Sequence, residues 1–445
     1  MEDNNVNMTE GNPLKLIIIF AIPMMIGNIF QQFYNLIDSV VVGRFVNGEA
    51  LAAIGSTNSI TFLFFALCNG IASGGGIVTS QCFGQGDREK VKRCITNTAY
   101  IMILFPLIVG TIAFFLAKPL LLLLDTKDFL MADALIYTRY MCLGMVFVSL
   151  YNYVSSVLRA LGDSKTPLYF LIFSCILNAG LDVLFVKGFS MGVTGAAVAT
   201  LIAQFLSGIL CLVYACKKNP YFQLVKKDFA FDRKVILSSI RLGIPLSLQF
   251  SMIAVSCMAL QKVVNRFSDS AVTAFTATSR FEQVIHQPYQ TIGAALATYS
   301  GQNFGAGKKE RIRIGYRKCL LLMFFFSLLM LPVMQLFGKQ IIGLFVKETD
   351  VIEMGARALQ ISSLFYVFLG TIYVVRGVLN GIGDAFFSLL NGIVEVIGRF
   401  TVPIFLTGID SIGVWGIWWS VGIVWFLSGF TAWLRYLSFS RKAGL

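Results

Sequence analysis

Residues 16–38 read LIIIFAIPMMIGNIFQQFYNLID, an unbroken uncharged run that ends on an acid, Asp38. A helix crossing the hydrocarbon of a bilayer needs roughly 20 mostly apolar residues, so this stretch suffices for one span. Charge-free runs recur at 50–86, 94–117, 140–158 and 188–216, and again at 242–261, 287–307, 319–338, 358–375 and 411–434. Two more apolar stretches, 167–186 and 385–408, each carry an embedded acid. Together they predict an all-α integral membrane protein with twelve transmembrane helices. Of the 445 residues only 13% are charged and 56% are hydrophobic, against about 25% charged in a soluble domain. Lipid is therefore the main solvent of the fold.

Residues 1–13 are polar and acidic, and no small-residue cleavage site follows the first apolar run. Residues 15–42 thus read as a retained helix and not as a signal peptide. Nine cysteines are scattered without a CxxC or metal-ligand spacing, which suits small buried side chains. The net charge of +13 does not point to nucleic acid, because of where it lies. Twenty-one Lys and Arg fall in alternate loops, among them Arg88, Lys92, Lys217, Lys227, Lys308 and Arg317, against seven on the opposite side. The positive-inside rule then expects a multi-pass protein of the plasma (inner) membrane with both termini in the cytoplasm.

The chain also matches itself. At a shift of 222, Ile22-Pro23 meets Ile244-Pro245 and Arg44-Phe45 meets Arg266-Phe267. At 221, Gln81, Phe83 and Gly84 meet Gln302, Phe304 and Gly305, Gly162-Asp163 meets Gly383-Asp384, and Gly192-Val193 meets Gly413-Val414. Prolines, loop arginines and glycine pairs in unchanged order indicate duplication. The expected organisation is two pseudo-symmetric six-helix lobes, 1–216 and 235–445, joined by a basic cytoplasmic linker, 217–234. Six spans per lobe make the repeat parallel, with its axis along the membrane normal, an architecture that favours alternating-access transport.

A carboxylate at bilayer depth costs at least ~2.5–3.5 kcal/mol, so each acid inside an apolar run requires a reason. Asp38 shares a helical face with Gln31, Tyr34 and Asn35, although Arg44 six residues on also suits an interfacial cap. Asn178 and Asp182 lie four apart, with Thr200 on the next span. Carboxylate, amide and hydroxyl oxygens are what a small hard cation or a proton with its waters requires, and they also suit a structural hydrogen-bond pair. Glu282 lies near Arg280, with His286 one turn on, and Glu395 precedes Arg399 by four. Local charge neutralisation is the plain reading of both, and His286 is a candidate relay. The repeat carries Asp38 onto Leu260 and Asp182 onto Pro403, so the acids are not duplicated. Pro23 predicts a bend in the first helix. Gly70 and Gly74-Gly75-Gly76 lack the Gly-Lys-Ser/Thr of a phosphate loop and suit close helix approach instead. Tyr151, Gln249, Met252 and Tyr289 are further candidates for a cavity lined by aromatic faces and amides.

Several segments in this order resemble the multidrug and toxic compound extrusion (MATE) transporters over nearly the whole chain. They are Gly11-Asn12-Pro13, Asp38 with Val41-Val42-Gly43-Arg44, Gln81–Gly86 with its counterpart Gly301–Gly307, Arg159-Ala160-Leu161-Gly162-Asp163, and Asn178-x-x-x-Asp182. The resemblance implies a monomeric antiporter exporting amphipathic, cationic small molecules, driven by a proton or sodium gradient and requiring no cofactor. In one branch the coupling site lies in the N-terminal lobe, and Asp38, Asn178, Asp182 and Thr200 match it, with Asn152 a looser candidate; a coupling sodium would sit at the first four. Another branch carries acids on the seventh and tenth spans, which 242–261 and 358–375 lack. Lipid-linked oligosaccharide flipping is the alternative within the same general fold, kept open by Arg376, a cation on the tenth span. One histidine and no hydrolase-like serine elbow argue against an enzyme, so no catalytic residue is expected.

Overall fold

The computed structural model describes residues 6–46, 48–124 and 126–443; the side chains of Asn35 and Asp38 lie outside the described residues. Among the described residues the regular structure is entirely helical. The first seven α-helices are α1 (Pro13–Phe45), α2 (Gly48–Gly84), α3 (Arg88–Leu123), α4 (Asp128–Leu143), α5 (Met145–Ala160), α6 (Lys165–Asp182) and α7 (Gly192–Lys218). Seven more follow: α8 (Arg233–Val264), α9 (Asp269–Gly305), α10 (Lys309–Gly343), α11 (Thr349–Ser363), α12 (Tyr366–Ile382), α13 (Ala385–Thr407) and α14 (Gly416–Ala443). A π-helical turn, Val183–Gly188, continues α6.

The duplication is written into the backbone. Helices α2 and α9 are both 37 residues long, and α4–α5 and α11–α12 are bent pairs, by 46° and 52°. Left-handed glycines recur at the same shift of 221: Gly86 with Gly307, Gly162 with Gly383, and Gly192 with Gly413, with φ of 75° and 70°, 91° and 99°, 57° and 51°. A side chain is strained in that region, so each turn demands glycine in both copies.

Two expectations change. The runs 140–158 and 358–375 mark two of the expected spans, but the spans begin earlier, at Asp128 and Thr349, and are bent, at Gly144 and between Ser363 and Tyr366. Their first halves escape a charge-free search because they are amphipathic. Leu130, Ala134, Tyr137 and Met141 form the buried stripe of α4, while Asp128, Asp133 and Arg139 share the same helix. Among the described residues nine helices are long and apolar enough to cross a membrane, or eleven when each bent pair is one span. Helix α9 is long enough but carries Asp269, Arg280, Glu282 and His286. Of these, Glu282 and His286 are half-buried, as polar residues at bilayer depth are expected to be, and Asp269 and Arg280 are exposed.

The chain forms two compact units, one comprising Met1–Met8 and Ile19–Ser251, the other Thr9–Ile18 and Met252–Leu445. In unit 1 the segment after α7 is strapped to α3. Thr96 donates to the Asp228 carbonyl (2.6 Å), Tyr100 to the Phe229 carbonyl (2.8 Å), and Asn97 accepts from the Asp232 amide (2.8 Å). The glycines of α2 form a hub. A Cβ on Gly70 or Gly74 would lie 2.2 Å from the Ser247 amide nitrogen or 2.5 Å from that of Gly243, both on α8. One on Gly75 would strike Thr98 of α3, and one on Gly76 would strike Ser156 of α5, each at 2.3 Å. Three successive glycines thus let three helices close on α2, and the Ser247 hydroxyl donates across the gap to the Leu67 carbonyl (2.6 Å).

Gly74→Val is expected to destabilise the protein by about 1–3 kcal/mol through overpacking against backbone, lowering the thermal transition of the detergent-solubilised protein. Gly55→Ala, in the same helix with nothing within 4 Å of its Cβ, is expected to leave that transition unchanged or to raise it.

Candidate functional site

Unit 1 brings together most of the polar residues singled out on the fifth and sixth spans. Asn178 and Asp182 are buried on α6, one helical turn apart, and Thr200 is buried on α7. The Asn178 amide donates to the Thr200 hydroxyl at 3.4 Å, and its own carbonyl oxygen is sealed from solvent without a hydrogen-bond donor. Asp182 is the last residue of α6 before the helix widens into the π turn. Such turns break the i→i+4 ladder and recur at functional sites. Here the Phe189 amide reaches back five residues, to Leu184. The arrangement places a carboxylate, an amide oxygen and a hydroxyl on adjoining faces of two packed helices, a donor set suited to a hard cation or a proton. Asn152, on α5, is half-buried.

The first-span candidates divide. Asp38 and Asn35 belong to α1 by backbone, and their side chains lie outside the described residues. Pro23 lies within α1. Gln31 is half-buried, and Tyr34 packs with Tyr151, Leu171 and Cys175, flanked by Phe30 and Phe170. The Tyr151 hydroxyl donates to the Pro167 carbonyl at 2.9 Å. Gln249 is buried with its Oε1 unmatched, and Met252 is half-buried. Tyr289 is fully enclosed, its hydroxyl 2.8 Å from that of Ser327 and its ring edge-on to Phe326. That side chain is spent on packing α9 against α10.

The charges of unit 2 are paired differently from what sequence spacing suggests. Glu395 is held not by Arg399, four residues on in α13, but by Arg376 of α12, at 2.5 Å with both side chains buried. The Arg376 Nε donates to Asn391 (2.8 Å), Ser428 donates to Glu395 (3.1 Å), and Asn391 donates to the Ser428 carbonyl (2.9 Å). Helical spacing puts Arg399 on the same side of α13 as Glu395, but the rotation of α12 presents Arg376 at bonding distance. The pairing also removes the free cation at Arg376 that kept the flippase alternative open. Among the described residues Glu282 forms no ion pair with Arg280, and its Oε1 is sealed from solvent without a donor. The His286 ring meets Trp425 edge-on at 5.4 Å.

The acids alone conceal one correspondence. The shift of 221 that aligns the left-handed glycines carries Asn178 onto Arg399 and Asn152 onto Tyr373. Where unit 1 has amides, unit 2 has a permanent cation and a phenol. Aligning the two halves at every polar position, and not only at the acids, exposes this in the sequence.

Glu395→Gln strands a buried guanidinium and is expected to cost about 3–5 kcal/mol. Replacing both partners, Arg376→Met with Glu395→Leu, is expected to recover most of that loss. Thermal unfolding of the three proteins in one detergent checks it, and an unshifted single variant contradicts it.

Comparison with known proteins agrees with this architecture. A family model described as MatE matches the chain twice, over residues 23–184 and 245–408, the two stretches that the duplication relates. "Probable multidrug resistance protein YpnP" of Bacillus subtilis (strain 168) is 32% identical over 437 residues, 97% of this chain and 96% of the relative. "Multidrug export protein MepA" of Staphylococcus aureus (strain MSSA476) is 23% identical, over 95% of this chain and 93% of its own length. A solved structure described as "Crystal structure of MATE in complex with MaL6" matches with a TM-score of 0.90 at 23% identity, covering 97% of both chains. The fold is thus the all-helical MATE architecture of twelve transmembrane helices in two six-helix lobes, α4–α5 and α11–α12 each making one bent span. With the family model matched in both halves and the YpnP relative aligned nearly end to end, the chain belongs to the MATE family of membrane transporters.

Proposed function

We propose that the chain is a secondary active antiporter that exports amphipathic, cationic small molecules in exchange for protons or sodium ions, with the coupling ion held in unit 1. The observation that carries this reading is the buried Asn178–Thr200 contact with Asp182 one turn away at the start of the π turn. The names of the relatives, multidrug resistance and multidrug export proteins, support the substrate class. Asp38 of α1 and Asn152 of α5 are assigned to the same site on the resemblance of the sequence to the family. The concentration of basic residues in alternate loops supports both termini in the cytoplasm, and the protein is proposed to act in the plasma membrane as a monomer.

Exchange follows from charge. The buried Asp182 carboxylate, with Asp38 as its proposed companion, attracts cations, and a substrate cation and a coupling ion compete for the same negative charge. Binding of the coupling ion neutralises the site and releases the substrate outward; its departure inward restores the charge. Pro23, which lacks the amide that would hold α1 straight, is where α1 bends as Asp38 changes charge.

Efflux of a fluorescent lipophilic cation from proteoliposomes under separately imposed proton and sodium gradients tests this. Asp38→Asn and Asp182→Asn are each expected to abolish gradient-driven efflux, and Thr200→Val to weaken its dependence on the ion several-fold. Undiminished transport in both Asp variants overturns the site assignment, and the gradient that drives the native protein identifies the ion.

A further inference from the structure

In unit 2 a cavity of about 490 Å³ lies between α10, α11 and the start of α14, lined by Leu331, Arg357, Gln360, Leu364, Trp415 and Trp419 among others. Its wall is fixed. The Gln335 and Gln360 side-chain amides each donate to the other residue's backbone carbonyl, at 3.1 and 3.2 Å, and pin α10 to α11. Arg357 is exposed, and its guanidinium lies over the Trp415 ring, 4.4 Å from the centroid. The acid one turn before it on α11, Glu353, is taken by Lys339 of α10 at 2.8 Å. Among the described residues Arg357 therefore has an aromatic face but no anion. Arginine and tryptophan beside the end of a spanning helix mark the level of the membrane–water interface.

Further along the same helices the surface stays concave. A second cavity of about 430 Å³ lies between α10, α12 and α14, lined by Leu321, Phe324, Val367, Phe430 and Trp433 among others. Rings in sequence join the two cavities. Trp419 meets Phe365 at 6.0 Å, Phe365 meets Phe368 at 6.4 Å, Phe368 meets Phe426 at 4.9 Å, and Phe426 meets Phe430 at 6.1 Å. From its start at Gly416 to Phe430, α14 rises ~21 Å. That matches one leaflet, half of a bilayer about 40–45 Å thick with its headgroups. An apolar groove of leaflet length with one cation at its interfacial end is complementary to an anionic head with an acyl tail.

The fold itself does not require these residues. The shift of 221 carries Arg357, Trp415 and Trp419 onto Ile136, Thr194 and Val198, so unit 1 has neither a cation nor an indole at the same positions. A phosphate suits the guanidinium. A zwitterionic headgroup offers that phosphate too, but it also brings a cation that Arg357 repels.

We propose that this groove binds one anionic phospholipid of the outer leaflet, its phosphate on Arg357 and an acyl chain along the rings to Phe430. The leaflet follows from the sidedness of the basic loops; the site is separate from ion coupling in unit 1 and does not depend on the efflux reading. A lipid seated there braces α10, α11 and α14 around the α11–α12 bend.

The test uses the purified full-length protein in bilayers of phosphatidylcholine and phosphatidylglycerol, with one lipid or the other brominated on its acyl chains. Bromine quenches the indoles it touches, so quenching by each lipid gives their relative affinity for the groove. The native protein is expected to favour phosphatidylglycerol roughly fivefold, the scale of one arginine facing an anionic lipid. Arg357→Gln is expected to bring the ratio to about one, while an unchanged thermal transition in phosphatidylcholine alone shows that the variant is folded. Arg357→Lys retains part of the preference, because an ammonium still binds phosphate as a point charge. Lys347→Gln, which removes an exposed cation from the loop before α11, is expected to leave the native ratio. A ratio of one in the native protein, or a preference that survives Arg357→Gln, overturns the proposal. So does an equal loss in Lys347→Gln, which would mean diffuse attraction to the surface instead of a site.

Discussion

A charge placed in hydrocarbon has to be matched by another inside the protein, and in unit 2 that match is Arg376 with Glu395, across α12 and α13. Water cannot lower the cost of either group at bilayer depth, so the contact dictates how the two helices face each other. Asn391 and Ser428 then complete the hydrogen bonds and draw in α14. The same constraint acts on α9. On that helix Asp269 and Arg280 are exposed, whereas Glu282 and His286 are half-buried, and the His286 ring meets Trp425.

Unit 1 meets the constraint by another route. Its α2 is held by glycines that bring backbones into contact with α3, α5 and α8, and its buried polar groups are mostly amides and hydroxyls that bond to nearby carbonyls. Its buried acids include Asp163, bonded to Thr166, and Asp182, placed where α6 opens into a π turn. The two halves of a duplicated protein thus spend their polar residues differently: one keeps acids with neutral oxygens around them, the other closes its acid with an arginine and adds a second arginine at the equivalent of Asn178.

Much of this was legible in the linear order of residues. The matches between halves predicted the repeat, and the left-handed backbone at Gly86, Gly162 and Gly192 and their counterparts shows why those glycines survived divergence. Asn178, Asp182 and Thr200 were readable because spacing on adjacent spans determines which residues share a depth, and the Asn178–Thr200 contact follows. What spacing missed was amphipathic or distant. The first halves of the bent spans carry charges that break an apolar run, and the partner of Glu395 lies nineteen residues away on another helix instead of four residues on in its own.

The sequence by itself determined the solvent, the number of spans, the duplication and the confinement of acids such as Asp38 and Asp182 to one half, because hydropathy and repeat order are properties of the chain. Only the tertiary structure decided which charges are closed and which remain open. Helix rotation and the bends at α4–α5 and α11–α12 set the distances between side chains, and in a low dielectric a shift of a few ångströms separates the neutralised Arg376 from the under-coordinated Arg399.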